Sequence, residues 1–122
     1  MEVPQVKPAF FIGPTKAEIA DYPEEVRRAF GFAIWEAQLG RRVEYAKSMK
    51  GNLREVTEVV ADDDRGERTY RAIYTVRIGD AVYVLHAFQK KSRHGIATPK
   101  AELDLIERRL REAKKHHEEV GR

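Results

Sequence analysis

The chain contains no cysteine, which excludes disulfides, a thiolate metal site and a cysteine nucleophile. That absence fits a reducing compartment. No apolar run approaches the roughly 18 residues that a membrane-spanning helix requires. Residues 1–7 also lack the basic start and long apolar stretch of a secretory signal, so the expected location is the cytoplasm, with no membrane partner. Histidine is scarce, and the adjacent pair His116 and His117 would point in different directions on a helix. No glycine-rich phosphate loop follows a strand-like segment, and no serine has an evident base. Neither a metal nor an organic cofactor is expected. Hydrophobic residues make up 42% and charged residues 35% of the 122, a globular composition sized for a single domain spanning residues 1–122.

Residues 7–13 form a short apolar run closed by Gly13-Pro14 and read as an opening strand. Thr15 followed by Glu18 has the spacing of a capping box, so a short helix is expected up to Tyr22. Pro23 suits a first helical turn, and Val26, Phe30, Ala33, Ile34 and Ala37 repeat at helical spacing as far as Gly40. Residues 53–60, 69–78 and 81–89 read as three strands. A charged turn with Gly66 separates the first two, and Gly79-Asp80 is a two-residue hairpin signal between the second and third. The third strand is apolar on both faces and is placed centrally, with Val82, Val84, His86 and Phe88 on one side. Thr98 and Pro99 open a last helix whose buried stripe is Leu103, Ile106, Leu110 and Ala113. Residues 1–6 and 114–122 are polar enough to fray.

Charge is the remaining chemical resource. The net charge is only +3, but its distribution is uneven. Residues 81–101 hold no acidic side chain while carrying Lys90, Lys91, Arg93 and Lys100. A second basic cluster contains Arg41, Arg42, Lys47, Lys50 and Arg54. Clustered cations are the footprint of a polyanion partner, although a solvated charged surface has the same composition. Arg71 sits mid-strand between Tyr70 and Ala72, which face the other way, so it should look into solvent or a cleft. Arg54 is expected across from it in an antiparallel pair, with Lys90 and Lys91 at the end of the central strand. Tyr70, Tyr74 and Tyr83 either stack on bases or belong to the core. His86 reads as a buried histidine that supports its neighbours.

Four segments in order carry a resemblance: Asn52-Leu53-Arg54-Glu55-Val56, Thr69-Tyr70-Arg71-Ala72-Ile73-Tyr74, Leu85-His86-Ala87-Phe88-Gln89-Lys90-Lys91-Ser92, and Thr98-Pro99-Lys100-Ala101-Glu102-Leu103. Together they resemble the HigB-like, phage-derived branch of the RelE/ParE superfamily of bacterial toxins, over roughly residues 26–113. The resemblance implies an α+β, RelE-like fold: an N-terminal strand and helical hairpin packed on an antiparallel sheet, with a C-terminal helix. It implies the toxin of a type II toxin–antitoxin system, a metal-independent, ribosome-dependent mRNA endoribonuclease that inhibits translation. Its partners would be the ribosome, mRNA and a cognate antitoxin, commonly a helix-turn-helix protein. By the same resemblance Arg71 holds the scissile phosphate, Lys90 and Lys91 form the basic pair after the last strand, and Arg54 is the basic position of the first meander strand. Arg93, His94 and Lys100, with Lys47 and Lys50 from the second cluster, are the expected RNA contacts. Two departures are visible: Glu55 and Glu58 stand in a strand that is usually more basic, and no aromatic follows Phe88. They leave open a non-catalytic, ParE-like gyrase-binding toxin and an inactive phage-derived RNA-binding module. As a partly exposed strand residue, Arg71 should tolerate replacement by Ala at a stability cost within about 1 kcal/mol.

Overall fold

The apolar stripes and strands assemble into one sheet covered by helices on both faces. The computed structural model describes residues 5–90 and 98–120. In chain order they form β1 (Ala9–Phe11), α1 (Thr15–Ala20), α2 (Glu24–Gln38), β2 (Ala46–Ser48), a 3₁₀ turn (Gly51–Leu53), β3 (Thr57–Asp62), β4 (Thr69–Thr75), β5 (Val82–Lys90) and α3 (Lys100–Val120). The five strands lie in the order β1-β5-β4-β3-β2. β2 through β5 pair antiparallel, whereas β1 runs parallel to β5. The fold is α+β as expected, but its sheet is mixed rather than antiparallel. The direction of β1 follows from the turn at Gly13 (φ +60), which leads directly into α1 and sets Thr15 beside Leu85 of β5.

Each face of the sheet has its own core. On one, α2 buries Val26, Phe30, Ala33, Ile34 and Ala37 against Val59, Tyr70, Ala72, Tyr74, Val82 and Val84. On the other, α3 buries Ile106, Leu110 and Ala113 against Ile73, Tyr83 and Leu85, joined by Leu53, Val56 and Ile78. Each large side chain taken out of water contributes roughly 1.5–3 kcal/mol, so β5, which feeds both cores, carries more of the stability than any edge strand. It is an interior strand, as its two apolar faces suggest, although β4 and not β5 holds the middle of the sheet.

Four local expectations are corrected. The first meander strand begins at Thr57, not at residue 53, because Gly51-Asn52 opens a 3₁₀ turn that tucks Leu53 and Val56 under α3; a short β2 precedes it. β4 ends at Thr75, and residues 76–81 link it to β5 in place of a two-residue hairpin, because Ile78 and Ala81 dip into the α3-side core. Thr15 does not cap α1: it is fully buried, and its hydroxyl donates to the Ile12 carbonyl at 2.6 Å. Finally, α3 continues unbroken to Val120, where the polar sequence suggests fraying. The Tyr83 hydroxyl meets His116 Nδ1 at 2.8 Å, and the His117 ring lies where a side chain on Gly79 (φ +56) would stand.

β5 also contains a bulge. Ile73 pairs with His86 but Tyr74 pairs with Val84, which leaves Leu85 as an extra residue. The alternation is reset there, so His86 and Phe88 share the α3-side face with Tyr83 and Leu85 rather than with Val82 and Val84. Arg109 of α3 closes over the bulge. Its Nη1 donates to the Leu85 carbonyl (3.1 Å), to His86 Nδ1 (3.0 Å) and to Thr15 Oγ1 (3.3 Å). Because a guanidinium has only donors, His86 Nδ1 is the acceptor, and the ring proton sits on Nε2, facing the Glu102 carboxylate.

Replacing Arg109 by Met keeps most of the apolar contact but leaves three buried acceptors without this donor. The expected loss is on the order of 2–4 kcal/mol in urea-unfolding free energy. A loss under about 0.5 kcal/mol, the range of neutral surface changes, would show that water or a neighbour replaces the guanidinium.

Candidate nucleic-acid interface

α3 packs on only part of its side of the sheet, and the charged residues of that face lie beyond its apolar stripe. β4 presents Arg71 there because Tyr70 and Ala72 are committed to the α2-side core. Arg71 is flanked by Val60 on β3 and Phe88 on β5. One row along, Lys47 of β2, Glu58 of β3, Ile73 of β4 and His86 of β5 lie across the sheet in register. One row in the other direction, Thr69 pairs with Lys90. These positions share one face, so Lys47, Glu58, Arg71 and Lys90 converge as diagonal neighbours.

The centre of this group is an ion pair. Arg71 Nη1 lies 2.6 Å from Glu58 Oε1, with side chains only 15% and 6% exposed. Arg71 Nε and Lys90 Nζ are both buried and have no hydrogen-bond partner among the described residues. Lys90 itself is 6% exposed. Burial, then the nearby Arg71 charge, holds its ammonium below the ordinary lysine pKa; Glu58 opposes that shift and Lys47 adds to it. Two unpartnered cationic donors beside one carboxylate form a place where an anion such as a phosphate would gain charge-assisted hydrogen bonds. Behind it, Phe88 stacks on His86 at a centroid distance of 5.2 Å, and the Glu102–His86–Arg109 chain fixes that ring.

The expected site residues therefore divide. Arg71, Lys90 and Lys47 come together. Lys91, Arg93 and His94 lie outside the described residues. Lys100 opens α3, is exposed and pairs with Asp104 at 3.1 Å. Lys50 is exposed just before the 3₁₀ turn. Arg54 is not across from Arg71: Val60 holds that position, and Arg54 follows the 3₁₀ turn, where it lines a cleft near the opposite face. The displacement follows from the late start of β3. Tyr70, Tyr74 and Tyr83 are 4%, 2% and 0% exposed and belong to the cores, so none is free to stack on bases. Among the described residues no group of three or more His, Asp or Glu could hold a metal ion, and no helix is long and apolar enough to cross a membrane. His86 is buried and supports its neighbours, as expected, whereas the Glu58 pairing, Glu102 and Arg109 are what sequence reasoning missed. Their one signal is a charge at a buried position of an otherwise apolar strand or stripe.

Taken together, the mixed sheet, the helices on both faces and the largely buried Arg71–Glu58–Lys90 group define a small α+β module with two cations and one carboxylate gathered on one face of its sheet. Residues 17–111 match the family model described as phage-derived protein Gp49-like (DUF891), and the chain belongs to that family. It is a RelE/ParE-like toxin family, generally toxin-like modules of toxin–antitoxin systems. No curated protein sequence matches the chain.

The lowered pKa of Lys90 has a sign that can be tested. The unfolded chain holds that proton more readily than the folded one, so folding is penalised fully below the folded pKa. The penalty fades as the pH rises towards the ordinary 10.5. Lys90→Met is expected to be more stable than the wild type near neutral pH, with the two converging in urea unfolding as the pH approaches that value. A variant less stable at neutral pH would contradict the assigned environment.

Proposed function

We propose that the protein is a toxin that cleaves mRNA on the ribosome, with Arg71 and Lys90 as the reacting pair. The observation that carries the reading is the pair of buried donors, Arg71 Nε and Lys90 Nζ, which have no hydrogen-bond partner among the described residues and lie on the α3 side of the sheet beyond the α3 stripe. Cleavage by 2′-hydroxyl attack needs a base for that hydroxyl and positive donors for the charge that builds on the phosphorus oxygens. Arg71 suits the second task, since a guanidinium stays charged and binds phosphate oxygens in a fork. Lys90 suits the first, since burial and the Arg71 charge disfavour its ammonium. The 2′-hydroxyl gives its proton to neutral Lys90 Nζ, the 2′-oxygen bonds to phosphorus, and the bond to the 5′-oxygen breaks as that oxygen takes a proton from water, leaving a 2′,3′-cyclic phosphate and a 5′-hydroxyl. Glu58 holds Arg71 in place at 2.6 Å. Lys47, opposite Glu58 in β2, adds charge for the neighbouring phosphates. With so few acid–base groups in place, substrate positioning falls to the ribosome. The same reading includes a cognate antitoxin that silences the toxin.

The Arg71–Glu58 pair changes the choice of test variant. Because both side chains are largely buried, Arg71→Ala strands the Glu58 carboxylate, and a loss on the order of 2–3 kcal/mol replaces the 1 kcal/mol expected from sequence. Arg71→Lys keeps the charge and loses the fork. Expressed in a bacterial host, the wild type is expected to arrest growth and create new mRNA 5′ ends inside translated frames. Arg71→Lys should reduce those ends by about 10²–10³-fold, the usual cost of one transition-state donor, while its thermal unfolding stays near wild type. Arrest without new ends would replace this reading by a non-catalytic, gyrase-binding toxin. No arrest would leave an RNA-binding module.

A further inference from the structure

A second cationic site lies near the other face of the molecule. Between the C-terminal end of α2 and the ends of β3 and β4 is a cleft of about 210 Å³. Five cations line it, Lys7, Arg41, Arg42, Arg54 and Arg77, against one carboxylate, Glu55. Its floor includes Tyr74 and Thr57, which point to the α2 side of the sheet, whereas Arg71 and Lys90 point to the α3 side. The strands themselves separate the two sites.

The cleft is built from backbone that is tied down. Lys7 is held by two bonds to Gln38: its N–H donates to the Gln38 carbonyl at 2.9 Å and its carbonyl accepts from Gln38 Nε2 at 2.8 Å. Arg42 Nη1 reaches Ser48 Oγ at 3.4 Å. The fully buried Thr75 joins the segments that carry Arg54 and Arg77. Its hydroxyl donates to the Glu55 carbonyl at 2.8 Å and accepts from the Arg77 N–H at 3.1 Å. Burial raises the Tyr74 pKa, which keeps its hydroxyl neutral at the floor; Arg42 and a hydrogen bond to Thr57 pull the other way.

Structure alone accounts for only part of this charge. Arg41 pairs with Glu36 at 2.8 Å beside the negative end of the α2 dipole. Glu55 is engaged by Lys114 at 3.1 Å. Lys7, Arg42, Arg54 and Arg77 have no carboxylate partner among the described residues. They come from four different segments, so no single helix end explains them, and like charges gathered in one concavity repel unless an anion enters. Three of these four are arginines, whose planar forks match phosphate oxygens better than lysine ammoniums do. The space is smaller than a drug-sized pocket and suits a phosphodiester unit rather than a bulky ligand.

We infer that this cleft is a second RNA-backbone site, one that grips a phosphodiester strand on the side of the sheet opposite Arg71. It anchors RNA and takes no part in bond cleavage. The inference stands apart from the proposed nuclease chemistry, because anchoring needs only the cleft.

The test is equilibrium binding of a fluorescein-labelled RNA hairpin to the purified full chain by fluorescence anisotropy across a salt series, using Arg42→Ala/Arg77→Ala. Both side chains are exposed, so the fold should persist, checked by circular dichroism. The expected result is an affinity loss of about tenfold or more and a fall of about two in the salt slope, one for each phosphate contact removed. Arg42→Lys/Arg77→Lys should restore most of the slope, and Arg71→Lys should leave this component in place. Unchanged affinity and slope in the double Ala variant would overturn the inference. So would displacement of the hairpin by poly-glutamate as readily as by unlabelled RNA, or hairpin binding that only inorganic phosphate at millimolar concentration mimics. Failure of the nuclease reading shows instead in the mRNA 5′ ends, which this experiment does not touch.

Discussion

The bulge in β5 sets a condition that the rest of the molecule meets. An extra residue at Leu85 takes that carbonyl out of the regular ladder in a strand buried on both faces, where an unpaired acceptor would cost on the order of 1–3 kcal/mol. Arg109 supplies the missing donor, and to do so α3 must lie with its buried stripe across Ile73, Tyr83 and Leu85. The same guanidinium reaches Thr15 at the start of α1, so the helix that follows β1 is located by the same contact. One side chain thus relates three elements that are far apart in sequence. It also fixes the orientation of His86, whose ring supports Phe88 beside Arg71.

The seat of α3 decides where the charged residues of that face gather. Its apolar stripe fills the part of the face near Ile73 and Leu85, and the part near Arg71 and Lys90 is left to charged residues. A fully paired set of charges there would be inert. Instead the one carboxylate pairs with Arg71 alone, and Arg71 Nε and Lys90 Nζ have no partner among the described residues. Such a group costs stability in the free protein and gains most from an incoming phosphate, the exchange expected where binding or catalysis is selected over stability.

Much of this was legible in the sequence. The α2 stripe, the interior β5 and the placing of Arg71 away from Tyr70 and Ala72 follow from periodicities of 3.6 and 2, because those positions face a single environment. The bulge was not, since an inserted residue in a run apolar on both faces, such as Val82 to Phe88, leaves no mark in the pattern. Missing it put His86 on the wrong side. The late start of β3 was hidden in the same way: Leu53 and Val56 look like strand residues and are buried, but by a 3₁₀ turn. That shift alone moved Arg54 from the Arg71 site to the cleft near the other face. Glu58 read as a departure from a basic strand, whereas it lies diagonally from Arg71 and forms an ion pair with it. The parallel pairing of edge β1 joins it to β5, far along the chain, which local sequence does not report.

The central claim is that Arg71 and Lys90 cleave RNA by 2′-hydroxyl attack while it is held on the ribosome. The most direct measurement is the end chemistry of a defined mRNA incubated with purified protein, with and without programmed ribosomes. The account expects cleavage only with ribosomes, leaving a 2′,3′-cyclic phosphate upstream and a free 5′-hydroxyl downstream. Intact mRNA in the presence of ribosomes, or a 5′-phosphate on the downstream fragment, would contradict it.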